Sequence, residues 1–151
     1  MTTFGKLNLK EQKQILVLNA PGSFEPELKA LRGITIEHDL KKIGQIKFSL
    51  AFVTKQKEVD TLGKAIAKKV EGDAVVWFAY PKGSSKNYKS EINRDSGLKI
   101  LGEEGFEPVR MVAIDEDWSA VRFRRVDFIK ALTRGKEHRM SAQGKARAAR
   151  K

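Results

Sequence analysis

Three short apolar runs organise the chain, at 15–18 (Ile-Leu-Val-Leu), 48–53 (Phe-Ser-Leu-Ala-Phe-Val) and 74–80 (Ala-Val-Val-Trp-Phe-Ala-Tyr). They are continuous rather than alternating, rich in β-branched or aromatic residues, and followed by turn or helix-starting residues. That pattern predicts strands buried on both faces of a sheet. Helices fill two of the intervals. Ser23 is placed to cap a short helix over 24–32, with Glu25 and Glu27 at its positive end and Gly33 after it. Thr54 is placed to cap a longer helix over 55–70, where Val59, Leu62, Ile66 and Val70 form one apolar stripe and Gly72 closes it. Residues 34–39 alternate apolar and polar, as a half-buried strand near a sheet edge does. Their link to position 46 has no helical pattern. Either these two strands are antiparallel or an extended segment makes the return.

Beyond the third run come a polar loop at 81–89 and a helix over 93–104 with Leu98 and Leu101 inward and Gly105 as its stop. A strand at 109–114, a turn at 115–118 and a return strand at 120–126 make an antiparallel hairpin. A short helix over 127–133 precedes the terminus. The alternation predicts an α/β three-layer sandwich: a mainly parallel central sheet of Rossmann-like outline, ending in an antiparallel hairpin. The expected organisation is one domain over 1–134 and a basic C-terminal tail over 135–151. The outline is similar to that of class I methyltransferases, which also finish with an antiparallel hairpin. The turn after the first strand, Asn19-Ala20-Pro21-Gly22-Ser23, lacks their glycine-rich sequence. No dinucleotide or adenosylmethionine site of the usual kind, and no cofactor, is therefore expected.

Charge adds a second theme. The 151 residues carry a formal charge of +11. Seven basic residues (Arg134, Lys136, Arg139, Lys145, Arg147, Arg150 and Lys151) stand against one acidic residue in the last 18 positions. Such a run either attracts nucleic acid or another polyanion, or simply keeps the terminus soluble. The absence of cysteine excludes disulfides, thiol nucleophiles and cysteine-bound zinc, and two histidines make a multi-histidine metal site implausible. No stretch approaches the roughly 18 apolar residues of a membrane span, so a cytoplasmic location is expected.

Three blocks carry a resemblance. Lys6-Leu7-Asn8-Leu9 with 15–21 (Ile-Leu-Val-Leu-Asn-Ala-Pro), 76–82 (Val-Trp-Phe-Ala-Tyr-Pro-Lys) and 113–125 (Ala-Ile-Asp-Glu-Asp-Trp-Ser-Ala-Val-Arg-Phe-Arg-Arg) resemble, in order and spacing, a group of small uncharacterised bacterial proteins. The resemblance covers about residues 5–134 and implies a bacterial single-domain α/β protein. It implies no activity, and the basic extension lies outside the pattern.

In open α/β sheets ligands bind beyond the carboxyl ends of the strands. That rule selects Asn19, Ser23, His38, Asp39, Thr54, Lys55, the loop Pro81-Lys82-Gly83-Ser84-Ser85, Asp115 and Trp118. Lys82, Gly83, Ser84 and Ser85 have the makings of an anion cradle, although the order is not that of a P-loop. Asn19 would either orient a ligand or hold the turn at Pro21 and Gly22. His38 beside Asp39 has no recognisable nucleophile with it and reads as a neutral histidine on a strand. Asp115, Glu116 and Asp117 lack the spacing of a calcium loop, and no metal is expected. Arg122 and Arg124 share one face of the last strand, to grip an anion or to guard a solvated sheet edge. The function expected from sequence is binding rather than catalysis. It is a small anionic ligand held by Asn19, Ser23, Thr54, Lys82, Gly83, Ser84 and Ser85, or else non-specific polyanion binding through the tail. A ligand-free interaction module is a third reading.

Overall fold

The computed structural model describes residues 3–92 and 97–129. Six strands form one sheet: β1 (Gln14–Leu18), β2 (Thr35–Glu37), β3 (Ile46–Phe52), β4 (Val70–Pro81), β5 (Phe106–Ala113) and β6 (Trp118–Arg125). Their spatial order is β2-β1-β3-β4-β6-β5. β1 pairs in parallel with β2 and β3, and β3 with β4, whereas β6 runs antiparallel to both β4 and β5. The helices are α1 (Thr3–Lys6), α2 (Glu25–Lys29), α3 (Gln56–Lys69) and α4 (Lys99–Glu103). The result is the α/β Rossmann-like sandwich the alternation predicts.

Each sheet face carries its own core. One gathers Val76, Phe78, Val121 and Phe123 under Val59, Ile66, Ile100 and Leu101 of α3 and α4. The other gathers Phe48, Phe52, Trp77 and Trp118 with Phe4, Phe24 and Leu28. Strand alternation explains the sorting, since neighbouring residues of β4 fall into different cores. Trp77 is fully buried, and its Nε1 donates to the Leu7 carbonyl at 2.7 Å, tying the N-terminal segment to the middle of the sheet. Gly63 lets α3 approach α4: a Cβ there would lie 3.0 Å from Ile100 Cγ2.

The structure resolves the open connection and corrects several local expectations. β2 and β3 are not partners; they flank β1, both parallel to it. The return between them has no α-helix. It carries a 3-10 turn at Leu40–Lys42 and buries Ile43, and the Lys69 ammonium of α3 donates to the carbonyls of Leu40 and Ile43. Ser23 caps nothing: it sits inside a 3-10 turn, Gly22–Phe24, and α2 begins only at Glu25. The N-cap of α3 is Lys55 rather than Thr54. The hairpin strands start earlier than the alternation suggests. Among the described residues of 93–104 the helix is limited to Lys99–Glu103, and 93–96 lie outside the described residues. The short helix expected over 127–133 is represented by a 3-10 turn at Val126–Phe128, with the remainder outside the described residues. The seven basic tail residues from Arg134 to Lys151 also lie outside them. Among the described residues no helix is long and apolar enough to cross a membrane.

Candidate functional site

The carboxyl ends of the four parallel strands meet along one rim of the sheet. Strand order reverses about β1, because the chain runs from β1 to β2 on one side and returns to β3 on the other. Such a reversal opens a crevice where α/β proteins bind ligands. The residues expected to form one anion site do not come together around a shared vacant centre. They fall into three groups along the rim, and two of these already hold a carboxylate.

At the end of β3 the acceptor is Glu58. Its Oε1 receives the Thr54 and Lys55 backbone N–H groups at 2.9 and 3.1 Å and the Thr54 hydroxyl at 3.2 Å. Glu91 folds across the same end: its N–H donates to the Thr54 carbonyl at 2.9 Å, and its Oε1 receives the Gln56 N–H at 3.0 Å. The N-terminus of α3, the natural anion site of a βα unit, is thus occupied by two side-chain carboxylates.

At the end of β4 the acceptor is Asp117. Ser85 donates its hydroxyl to Asp117 Oδ1 at 2.8 Å, Asn87 reaches Oδ2 at 3.2 Å, and the Lys82 N–H donates to the Asp117 carbonyl at 2.7 Å. Ser85 Oγ in turn accepts the Tyr88 N–H at 3.1 Å. The loop of Lys82, Gly83, Ser84 and Ser85 is folded around an internal anion, so a phosphate there would meet like charge. Asp115 serves a different purpose, accepting the backbone N–H groups of Asp117 and Trp118 at 2.8 and 2.9 Å as an Asx turn does.

The ends of β1 and β2 are the open part of the rim. Asn19 is exposed and left-handed, with φ 58°. Pro21 is extended, and the exposed Gly22 opens the 3-10 turn. A Cβ on Gly22 would meet nothing within 4 Å, and its backbone is not left-handed. Neither packing nor conformation of the chain requires that glycine, and the backbone there is bare to an approaching group. Beside this turn, His38 Nδ1 lies 2.9 Å from the Val17 carbonyl, a contact that places the proton on Nδ1. No His38–Asp39 pair forms. One oxygen of the exposed Asp39 carboxylate accepts the Lys41 N–H at 2.9 Å.

An aromatic row floors the rim on the Trp77 face. Phe24, Phe52, Trp118 and Tyr88 follow one another at centroid distances of 5.0, 5.1 and 5.0 Å. Trp118 is 3% exposed, and its Nε1 is buried without a hydrogen-bond partner. Sequence reasoning selected Trp118 but not Glu58, Glu91 or Phe52. The spacing of Thr54 to Glu58 was available as a helix-start signal; the 35-residue reach from Gln56 to Glu91 was not.

The arginines of the hairpin do not guard an edge, because β5 lies outside β6. Arg124 forms a two-pronged pair with Asp73, at 2.9 and 2.6 Å. Arg125, on the opposite face, donates to the Ala67 carbonyl at 2.8 Å and lies over the Phe106 ring.

Searches against known proteins match the fold. No protein-family model and no curated protein sequence matches the chain. Among solved structures, an S-adenosylmethionine (SAM)-dependent methyltransferase from Aquifex aeolicus matches with a TM-score of 0.60 at 13% identity, over 82% of this chain and 87% of that one. The N-methyltransferase NodS from Bradyrhizobium japonicum matches at 0.51 and 13%, over 80% and 90%. A chain from Bordetella parapertussis described as a possible exported protein matches at 0.56 and 11%, over 82% and 65%. At these identities the likeness is one of fold. The methyltransferase neighbours overturn the expectation of an uncharacterised small-anion domain. The geometry supplies a physical reason for this correction: Glu58, Glu91 and Asp117 already answer the donors at Thr54, Gln56 and Ser85.

Proposed function

We propose that the chain is a cytoplasmic methyltransferase-type domain that takes SAM at the carboxyl ends of β1 and β2. The observation that carries this reading is a rim arranged for a cation rather than an anion, on a fold shared with SAM-dependent enzymes. Glu25 and Glu27 sit in the first turn of α2, where they offset the positive end that would otherwise attract phosphate. The methyl donor has no phosphate; it carries a sulfonium and an ammonium beside a carboxylate. Asp39 stands 20 residues beyond Asn19, the distance at which Rossmann-type units place the acid that binds ribose hydroxyls. Asn19 and Gly22 would offer backbone groups to the amino-acid end. The bare Gly22 backbone is the feature a ligand would complete. When bound, the cofactor supplies an electrophilic methyl group. The chain's own residues orient it and keep its positive charge near carboxylates.

The filled aromatic floor and the Pro21 turn favour a second reading, in which the fold is kept as an interaction module without a methyl donor. Equilibrium dialysis of the full chain against methyl-labelled SAM separates the two. Saturable binding that weakens about tenfold or more in Asp39→Asn and in Gly22→Val supports the donor site. Absence of binding at millimolar donor selects the interaction module.

A further inference from the structure

We infer that Arg110, Arg122 and Arg124 form a second site, for a phosphate group, on the sheet face that carries Trp77. Arg122 stands directly opposite Trp77 on β4 and directly opposite Arg110 on β5. Arg124 follows on the same face of β6. Like charges facing each other across neighbouring strands destabilise a sheet. Here two guanidinium groups are held in that arrangement with a third beside them.

The charge count leaves a deficit. Asp73 is the carboxylate that acts on Arg122, and it is already bound by both prongs of Arg124, while the buried Glu107 stands opposite Arg124 on β5. Three guanidinium groups against two carboxylates leave one positive charge unanswered, which a bound phosphate would balance. Arg122 is half-buried, and its Nε is a buried donor with no partner. Burial lowers its pKa first, and Arg124 and Arg110 lower it further against the opposing effect of Asp73. Arg110 is exposed, so the site can be reached from solvent. A planar guanidinium fork matches phosphate oxygens. The site is independent of the proposed methyl-donor site: Arg122 lies four residues along β6 from Trp118, about 13 Å from the rim.

The test is side-chain Nε–H NMR of the full chain at constant ionic strength. Inorganic phosphate is the first probe, and an oligonucleotide lacking terminal phosphates is the second. The expected result is saturable phosphate-dependent shifts at Arg110 and Arg122. The apparent affinity should rise through the second ionisation of phosphate and fall about tenfold in Arg110→Gln. Arg110 is exposed, so that variant is expected to fold. Arg122→Lys, which keeps the charge and loses the fork, should weaken binding in the same direction. Unsaturable shifts, equal binding in Arg110→Gln, or a response to the oligonucleotide alone would overturn the assignment.

Discussion

The Ser85 hydroxyl donates to the Asp117 carboxylate across 2.8 Å, joining the loop after β4 to the hairpin turn 32 residues later. Asp117 also receives Asn87, and its backbone carbonyl receives the Lys82 N–H. Replacing it with alanine should cost about 1–3 kcal/mol, the range for losing hydrogen bonds to a charged group. Urea unfolding measures this, and Asp117→Asn should recover part of the loss. An unchanged midpoint in Asp117→Ala would show that the loop does not depend on this anion.

Gly63 should resist enlargement. A Cβ there lies 3.0 Å from Ile100 and 3.3 Å from Leu101, so Gly63→Val should destabilise by about 1–3 kcal/mol through overpacking. Shortening the opposing side chain in Gly63→Val/Ile100→Ala should give a loss smaller than the sum of the two single losses. Additive losses in thermal or urea melts would refute the contact.

Ser49 is fully buried in β3, with a hydroxyl that has no hydrogen-bond partner. Ser49→Ala removes the unsatisfied group while leaving the strand intact. The expected outcome is unchanged or raised stability, by up to about 1 kcal/mol. A clear loss of stability would mean that the hydroxyl has a partner.

Arg122 gives a pH argument with a definite sign. Its folded pKa lies below the ordinary arginine value, with burial the first cause. Between the folded and unfolded values the unfolded state binds more protons, so stability rises with pH there. At neutral pH the charged side chain is therefore a standing cost of the fold. Arg122→Met should raise the stability read from the urea midpoint, by about 0.5–1 kcal/mol on the scale of like-charge strand pairs. Asp73→Asn, which removes the carboxylate paired with Arg124, should lower it, and less so in high salt. The opposite ordering of these two variants would contradict the charge balance described for this face.

The strands at 15–18, 48–53 and 74–80 were legible because strands buried on both sides read as continuous apolar runs. The stripe of α3 was legible for the complementary reason, since one face is buried and the other wet. The β2–β3 return was not, because an extended segment with a 3-10 turn leaves no period to detect. Alternation placed Arg122 and Arg124 on one face correctly, but nothing local reveals that β5 passes outside β6. The rim was misread as anion-binding because its donors are local in sequence while their acceptors Asp117 and Glu91 arrive from far along the chain. Thr54 and Glu58 are close in sequence, yet the cap runs in reverse: Glu58 reaches back to the Thr54 and Lys55 N–H groups. The open turn at Asn19 and Gly22 was visible, and the lack of a glycine run argued against a ligand that carries no phosphate at all.

The open rim beside Asn19, Gly22 and Asp39 is the place proposed for a cationic adenosyl ligand. Calorimetric titration of the full chain with SAM, its uncharged thioether product and adenosine monophosphate tests it most directly. The expected result is saturable binding of the sulfonium, equal or weaker binding of the thioether, weakening of both by about tenfold or more in Asp39→Asn, and no competition from adenosine monophosphate at this site. Binding of the monophosphate in preference to the sulfonium, or no heat from either adenosyl ligand, would contradict it.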